Sequence, residues 1–461
     1  MENRKNTDFG EGSILRLILK QAAPLTLSGL AQLLYSIIDR IYLGHIPGEG
    51  LNPLTGLGLT FPVVTAIAAF TALFGQGGSP LFSIARGEKD TRKAARILGN
   101  SFVMLLGSSV ILTILGYVFM RPALYAFGAS DITYVYASDY LKIYLTGTVF
   151  TMLATGLNYY ISAEGYPGRA MITVMSGAVI NLILDPFFIF YLGLGIRGAA
   201  IATVISQAVS CIFVLSFFFS RRADIGITRD NLRPDIRICA RIVTIGFTGF
   251  VMEITNCATQ IVCNRSLRNY GGDLYITIMT IVSSIRSVMG VAVTGITSGS
   301  GPVIGFNYGA RKYDRVRKGI KMAALMAAVY TLLAWAVILI FPGFLIGLFS
   351  NDTYTNRIAV KYLHIFFMAY VFMSFQFAGQ STFMALGKAP QAIFFSLFRK
   401  VVLVIPLTLL LPLYLPDPVS GVFWAEPVSN VVGGLASFLT MYFTVYGRLI
   451  PGKDIKKTAK A

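Results

Sequence analysis

The chain has 461 residues, 55% of them hydrophobic and only 13% charged, with a formal net charge of +18. A soluble chain of this length has about a quarter of its residues charged, so a water-soluble globular protein is excluded. A nucleic-acid binder is excluded too, because the basic segments lack the interleaved aromatic platforms on which bases stack.

The N-terminal MENRKNTDFGEG is polar and acid-containing, unlike a cleavable signal peptide. Apolar runs then recur to the end, for example 102–120, 171–194, 323–341 and 393–415. Each is long enough to cross about 30 Å of hydrocarbon at about 1.5 Å per residue. We expect about twelve spans, starting near residues 14, 53, 97, 134, 168, 198, 240, 274, 320, 358, 391 and 419. Backbone groups in lipid must be paired within the segment, so the spans are helices and the fold class is an all-α integral membrane protein.

Span one contains Pro24 about four turns before Asp39, and Tyr35 shares the face of Asp39. The loop after span two reads GGSPLFSIARGEKDTRKAAR, with Pro80 and Gly87. Span four supplies Asn158, and Asp139 and Glu164 lie near span ends. Span five places Asn181 and Asp185 four residues apart on one helix face. Span six adds Thr203. An arginine-rich segment, 221–239, follows. Span seven carries Glu253 and span eight Arg286. The next loop reads SGSGPVIGFNYGARKYDRVRK, with Pro302 and Gly309. Span ten has no acid, span eleven has Arg399 and Lys400, and span twelve begins with Glu426.

The two loop motifs are one motif, since Pro302 lies 222 positions after Pro80. The match extends to Arg40 with Arg265 and to Gly165 with Gly387, so one unit is duplicated. The expected domains are a first lobe, 1–220, a cytoplasmic basic linker, 221–239, and a second lobe, 240–461, with six transmembrane helices per lobe. Basic residues cluster after spans two and eight, in the linker (Arg221, Arg222, Arg229, Arg233) and at the C-terminus (Lys453, Lys456, Lys457, Lys460). All these loops fall on one side if the spans alternate. That bias places both termini in the cytoplasm of a multi-pass protein of the cell membrane.

A carboxylate at the bilayer centre costs roughly 2.5–3.5 kcal/mol or more, so each one needs a reason. Glycines shared between the copies indicate helix ends and turns, whereas Asp39, Asp185, Glu253 and Arg286 are unshared and indicate function. The first copy holds two carboxylates and no deep cation; the second has three basic residues available. A cation-coupling site is therefore expected in the first copy, at Asp39, Asn181 and Asp185, with Thr203 and Asn158 adding neutral oxygens. Such oxygens suit a hard cation such as Na+, and two close carboxylates also suit a shared proton. Asp39 has a structural alternative as a cap on the end of span one. Tyr35, Glu253 and Arg286 are candidates for substrate contact or ion pairing, and Pro24 for a helix kink that moves.

Four features together resemble the multidrug and toxic compound extrusion (MATE) family. Span one reads AAPLTLSGLAQLLYSIIDRIYLGHI, the paired Pro-and-Gly loops follow spans two and eight, span five reads NLILDPFFIF, and span eleven reads FRKVVLVIPL. The resemblance implies two six-helix lobes and export of cationic lipophilic drugs or dyes in exchange for Na+ or H+. It also implies a cation site on Asp39, Asn181, Asp185 and Thr203, with Asn158 nearby. Some members pair a span-seven glutamate, matched by Glu253, with a span-ten aspartate that is absent here. That leaves Glu253 as a possible partner of Arg286.

The alternative function is a lipid-linked saccharide flippase, for which Arg286, Arg399 and Lys400 are a partial case. No enzyme is expected, because the spans lack a His pair or a Ser-Lys constellation, and His45 and His364 are far apart. Cys211, Cys239, Cys257 and Cys263 form no disulfide or zinc pattern. No phosphate-binding GxxxxGK[ST] occurs, so no cofactor is expected and an ion gradient supplies the energy. The partners are the bilayer and small cationic molecules, with no nucleic acid, and the chain is expected to act as a monomer.

Overall fold

A computed structural model describes residues 9–44, 46, 52–220, 223–349 and 352–449. His45, Arg221, Arg222 and the C-terminal lysines from Lys453 on lie outside the described residues. The described residues are helical, without strands. Among the described residues ten helices are long and apolar enough to cross a bilayer, and a pair bent by 48°, Thr353–Phe367 with Phe372–Ala385, passes the same test when taken together. The chain is thus a multi-pass membrane protein of the all-α class. The expected fourth span is built of two helices, Asp131–Thr146 and Thr148–Ala163, that meet at Gly147. Each has 16 residues, about 24 Å of helix, so together they exceed the ~30 Å hydrocarbon core.

The chain divides into two compact units. The first holds Leu27–Glu253 and the second Phe9–Thr26 with Ile254–Ala461. The sequence copies meet at the 221–239 linker, but the units trade segments at two other places. Helix α1 (Ile14–Gly44) is divided just beyond Pro24. Its first turns join the second unit, where Ile14, Leu17 and Ile18 cluster with Phe9, Val303 and Ala323.

The first unit continues with α2 (Asn52–Gly87), α3 (Thr91–Ala126), α4 (Asp131–Thr146), α5 (Thr148–Ala163), α6 (Pro167–Pro186) and α7 (Gly195–Phe219). The segment after Pro186, Phe187–Tyr191, is a π-helical turn. The first unit also takes the beginning of α8 (Ile236–Gly271) as far as Glu253. One apolar cluster, including Phe82, Leu98, Leu105, Leu141, Leu157 and Phe218, forms its core.

The second unit takes the remainder of α8, then α9 (Asp273–Gly309), α10 (Tyr313–Ile340), α11 (Pro342–Gly347), α12 (Thr353–Phe367) and α13 (Phe372–Ala385). It ends with α14 (Ala389–Leu397), a π-helical segment Phe398–Val404, α15 (Ile405–Tyr414) and α16 (Pro418–Thr444).

The duplication is visible in the backbone. After α2, Lys89 takes φ 60°, and after α9 the matching Arg311 takes φ 57°. Lys89 N–H donates to the Arg86 carbonyl and Asp90 N–H to Ala85; Arg311 N–H donates to Tyr308 and Lys312 N–H to Asn307. Both helices therefore close on the same left-handed turn. Gly87 and Gly309 are the last helical residues, two positions before the turn that needs positive φ. At the ends of α5 and α13, Gly165 (φ 98°) and Gly387 (φ 69°) are themselves left-handed, a conformation open to glycine without a Cβ clash.

Candidate functional site

In the first unit α1 and α6 bring three polar side chains into the apolar interior. Asp39 is 9% exposed, Asn181 3% and Asp185 1%. Asp39 lies within α1, which runs on to Gly44, so it does not cap the helix end. The one-turn spacing on α6 lets Asn181 Nδ2 donate to Asp185 Oδ1 at 3.0 Å. Asp39 Oδ1 and Asn181 Oδ1 are buried and accept no hydrogen bond. Asp185 stands within electrostatic reach of Asp39, as do Tyr35 on α1 and Tyr140 on α4. Thr203 on α7 lies beside the Tyr140 hydroxyl.

None of the ion pairs among the described residues includes Asp39 or Asp185. A buried charge without a partner is expensive, so these carboxylates favour a proton or a metal cation. Every donor atom offered is oxygen, from carboxylate, amide and hydroxyl groups, as a hard cation requires. The sequence reading missed Tyr140 and Tyr144, stacked at 5.8 Å on α4. Their four-residue spacing was the available signal.

Asn158 is not brought to this group. Its Oδ1 accepts from Thr173 Oγ1 at 3.0 Å, and its Nδ2 donates to the Ala170 carbonyl at 3.2 Å. Those partners lie on the first turns of α6, and eight residues of helix separate Thr173 from Asn181, about 12 Å. Glu253, half-buried on α8, lies near Tyr159, whose hydroxyl accepts from Gln76 Nε2 at 2.9 Å. It belongs to no ion pair among the described residues.

The carboxylate that meets Arg286 is Glu426 rather than Glu253. In the second unit Glu426 Oε1 lies 3.4 Å from Arg286 Nη1 and 3.0 Å from Arg399 Nη1, and its Oε2 lies 3.7 Å from Lys400 Nζ. Arg399 also donates to Asn430 Oδ1 at 2.7 Å. Arg399 and Lys400 are neighbours in sequence yet both are buried. They sit in the π-helical segment, whose wider turn brings both side chains inward; such segments recur at functional sites. Gly433 on α16 makes room for this arrangement, because a Cβ there would stand 2.9 Å from Arg399 Cγ. Arg286, Lys400 and Glu426 line a cavity together with Asn256, Gln260, Ser283 and Phe366.

Comparison with known proteins agrees with these motifs. The MatE family model matches residues 24–187 and 246–410, once in each sequence copy. The multidrug export protein MepA of Staphylococcus haemolyticus is 27% identical over 440 residues, covering 95% of this chain and 94% of that protein. MepA of Staphylococcus saprophyticus is 25% identical over 436 residues, 94% of this chain and 95% of its own. The crystal structure of a MATE protein in complex with MaL6 aligns with a TM-score of 0.91 over 96% of this chain and 99% of that one, at 23% identity. A MATE protein in the bent conformation aligns with a TM-score of 0.90 over 99% of this chain and 100% of its own, at 24% identity. At these identities the structural likeness carries the fold alone. The chain belongs to the MatE family.

Proposed function

We propose that this chain exports lipophilic cationic compounds, driven by inward flow of Na+ or H+ through its first unit. The observation that carries the reading is the pair Asp39 and Asp185, buried with Asn181 and in no ion pair among the described residues. Such a pair has high affinity for one positive charge and can release it when the surroundings change. With a proton, the two carboxylates share it. With Na+, Asp39, Asn181, Asp185 and Thr203 supply the oxygens.

Neutralising Asp39 changes the charge on α1 about four turns from Pro24. Proline removes a helical hydrogen bond, so the helix bends there at low cost. Pro24 lies two residues before the point where α1 passes from one compact unit to the other. Bending of α1 is therefore the step that couples the bound cation to alternating access. The relatives named as multidrug export proteins support drug-like cargo. The adaptable surfaces of methionine and aromatic side chains suit such varied shapes. The chain works as a monomer in the cell membrane, with both termini in the cytoplasm.

The deciding experiment is efflux of ethidium from proteoliposomes under an imposed Na+ gradient, and separately under a pH gradient alone. Efflux driven by one of them identifies the coupling ion. Equal efflux with and without either gradient would overturn the antiport reading.

A further inference from the structure

The second unit contains charge that the coupling mechanism does not use. Three basic side chains, Arg286, Arg399 and Lys400, gather around one carboxylate, Glu426. Their side chains are 30%, 10% and 6% exposed, and that of Glu426 is 7% exposed. A guanidinium keeps its proton in a protein. The two arginines alone therefore outnumber the carboxylate, and Lys400 adds to the surplus when charged.

The partners are unequally committed. Arg399 is held on two sides, by Glu426 at 3.0 Å and Asn430 at 2.7 Å, and does not line the cavity. It acts as the fixed counterion of Glu426. Arg286 and Lys400 do line the cavity. Arg286 has five N–H donors and one long hydrogen bond, 3.4 Å, to Glu426. Lys400 has three donors and, among the described residues, the single 3.7 Å ion pair. Asn256, Gln260 and Ser283 add neutral polar groups to the lining, and Phe366, Met279, Val404 and Val422 add apolar ones. The Arg286 guanidinium stands 6.0 Å from the Phe366 ring. The free volume is about 30 Å3, room for about two waters, so an ionic head fits it and a whole drug does not.

We propose that this cavity is an oxyanion site that takes the carboxylate or phosphate group of an amphiphile through Arg286 and Lys400, with the apolar part of the ligand against Phe366 and Met279. The cargo then includes anionic and zwitterionic amphiphiles besides cations. That consequence for cargo rests on the export reading; the binding site itself does not. Spare charged donors make short bonds to oxyanions, and the surplus positive charge excludes a bare cation.

The test is calorimetry on the purified full chain in nanodiscs at pH 7, corrected with empty nanodiscs. The probes are decanoate, octyl phosphate, inorganic phosphate and decyltrimethylammonium. Decanoate and octyl phosphate should bind, and Lys400→Met and Arg286→Gln should each weaken them about tenfold. Lys400→Met leaves Glu426 paired with both arginines and keeps the volume, so the fold is retained. Arg286→Lys should restore binding, and Asp39→Asn should leave it unchanged. Decyltrimethylammonium affinity should not respond to either neutral substitution. Octyl phosphate binding about tenfold tighter than inorganic phosphate identifies an amphiphile; equal affinities would overturn the amphiphile assignment. Affinities within about twofold of the parent in both Lys400→Met and Arg286→Gln would overturn the site. Loss of efflux in Asp39→Asn with oxyanion binding intact bears on coupling alone, so the two readings fail separately.

Discussion

The two units turn their chains alike and charge their interiors oppositely. Lys89 and Arg311 close α2 and α9 on the same left-handed turn, and Gly165 and Gly387 repeat each other at the ends of α5 and α13. Within the helices the likeness ends. The first unit buries Asp39 and Asp185 outside every ion pair among the described residues, and the second gathers three basic residues on Glu426. Even the π-helical segments differ in order. Phe187–Tyr191 follows Pro186 in the first unit, and Phe398–Val404 precedes Pro406 in the second. Duplication preserved the turns, where the backbone dictates the residue, and released the helix faces to separate chemistry.

The largest expected effect breaks the comparison from the first unit. Asp39→Asn keeps shape and removes the charge that recruits a cation. Gradient-driven ethidium efflux should fall by about a hundredfold or more, as when an essential charged contact is lost, with membrane insertion and yield unchanged. Efflux within about threefold of the parent would mean that Asp39 does not couple.

The second unit should respond in stability. Glu426→Gln leaves the buried Arg399 and Lys400 and the half-buried Arg286 without this counterion, and breaking a buried ion pair from one side costs about 3–5 kcal/mol. Thermal unfolding in detergent should show a clear loss, partly reversed by Lys400→Met in the same chain. In the first unit Asp185→Asn should instead be neutral or mildly stabilising, because it removes an unpaired buried charge. Equal losses for Glu426→Gln and Asp185→Asn would erase the claimed difference between the units.

How much of this was legible in sequence depends on separation along the chain. Asn181 and Asp185 were legible because one helical turn joins them. The spans and the repeat were legible because lipid enforces composition and the turns enforce Gly165 and Gly387. The cluster on Glu426 was not assembled, since Arg399 is 27 positions away and Arg286 140, and no local period reports such a meeting. The same blindness paired Arg286 with Glu253. Asn158 was misplaced because its amide serves the start of α6, which only packing reveals. The division of α1 beyond Pro24 left no compositional mark.

A smaller effect comes from the end of α5. Glu164 corresponds to Leu386 in the second copy, and both are buried. Glu164 Oε1 accepts from Ile225 N–H at 2.6 Å, and its Oε2 has no hydrogen bond. Burial pushes its pKa up to about 7, although the Ile225 N–H and the nearby Arg86 favour the charged form. The folded protein thus holds a proton that the unfolded chain has released, from pH near 4.5 up to about 7. Stability falls as pH rises through that window, by up to about 3 kcal/mol. Glu164→Gln retains an oxygen for Ile225 and removes the titration. The gap in Tm between the variant and the parent should widen from pH 5 to pH 8, in favour of glutamine. Parallel Tm profiles would exclude Glu164 as the cause.

The smallest effect tests the likeness rather than the difference. Gly165 and Gly387 each hold positive φ at the end of a helix, at 98° and 69°. A Cβ at such an angle meets the following carbonyl, at a cost of about 1–2 kcal/mol. Alanine also stiffens the unfolded chain, which offsets part of that strain but not all of it where the native angle is forbidden. Gly165→Ala and Gly387→Ala should therefore destabilise by similar amounts, near 1–2 kcal/mol, and the double variant should approach their sum because the sites share no partner. Neither should alter which gradient drives efflux. If one glycine tolerates alanine and the other does not, the two turns differ in function despite their common backbone, and the division between preserved turns and divergent helix faces fails at its simplest point.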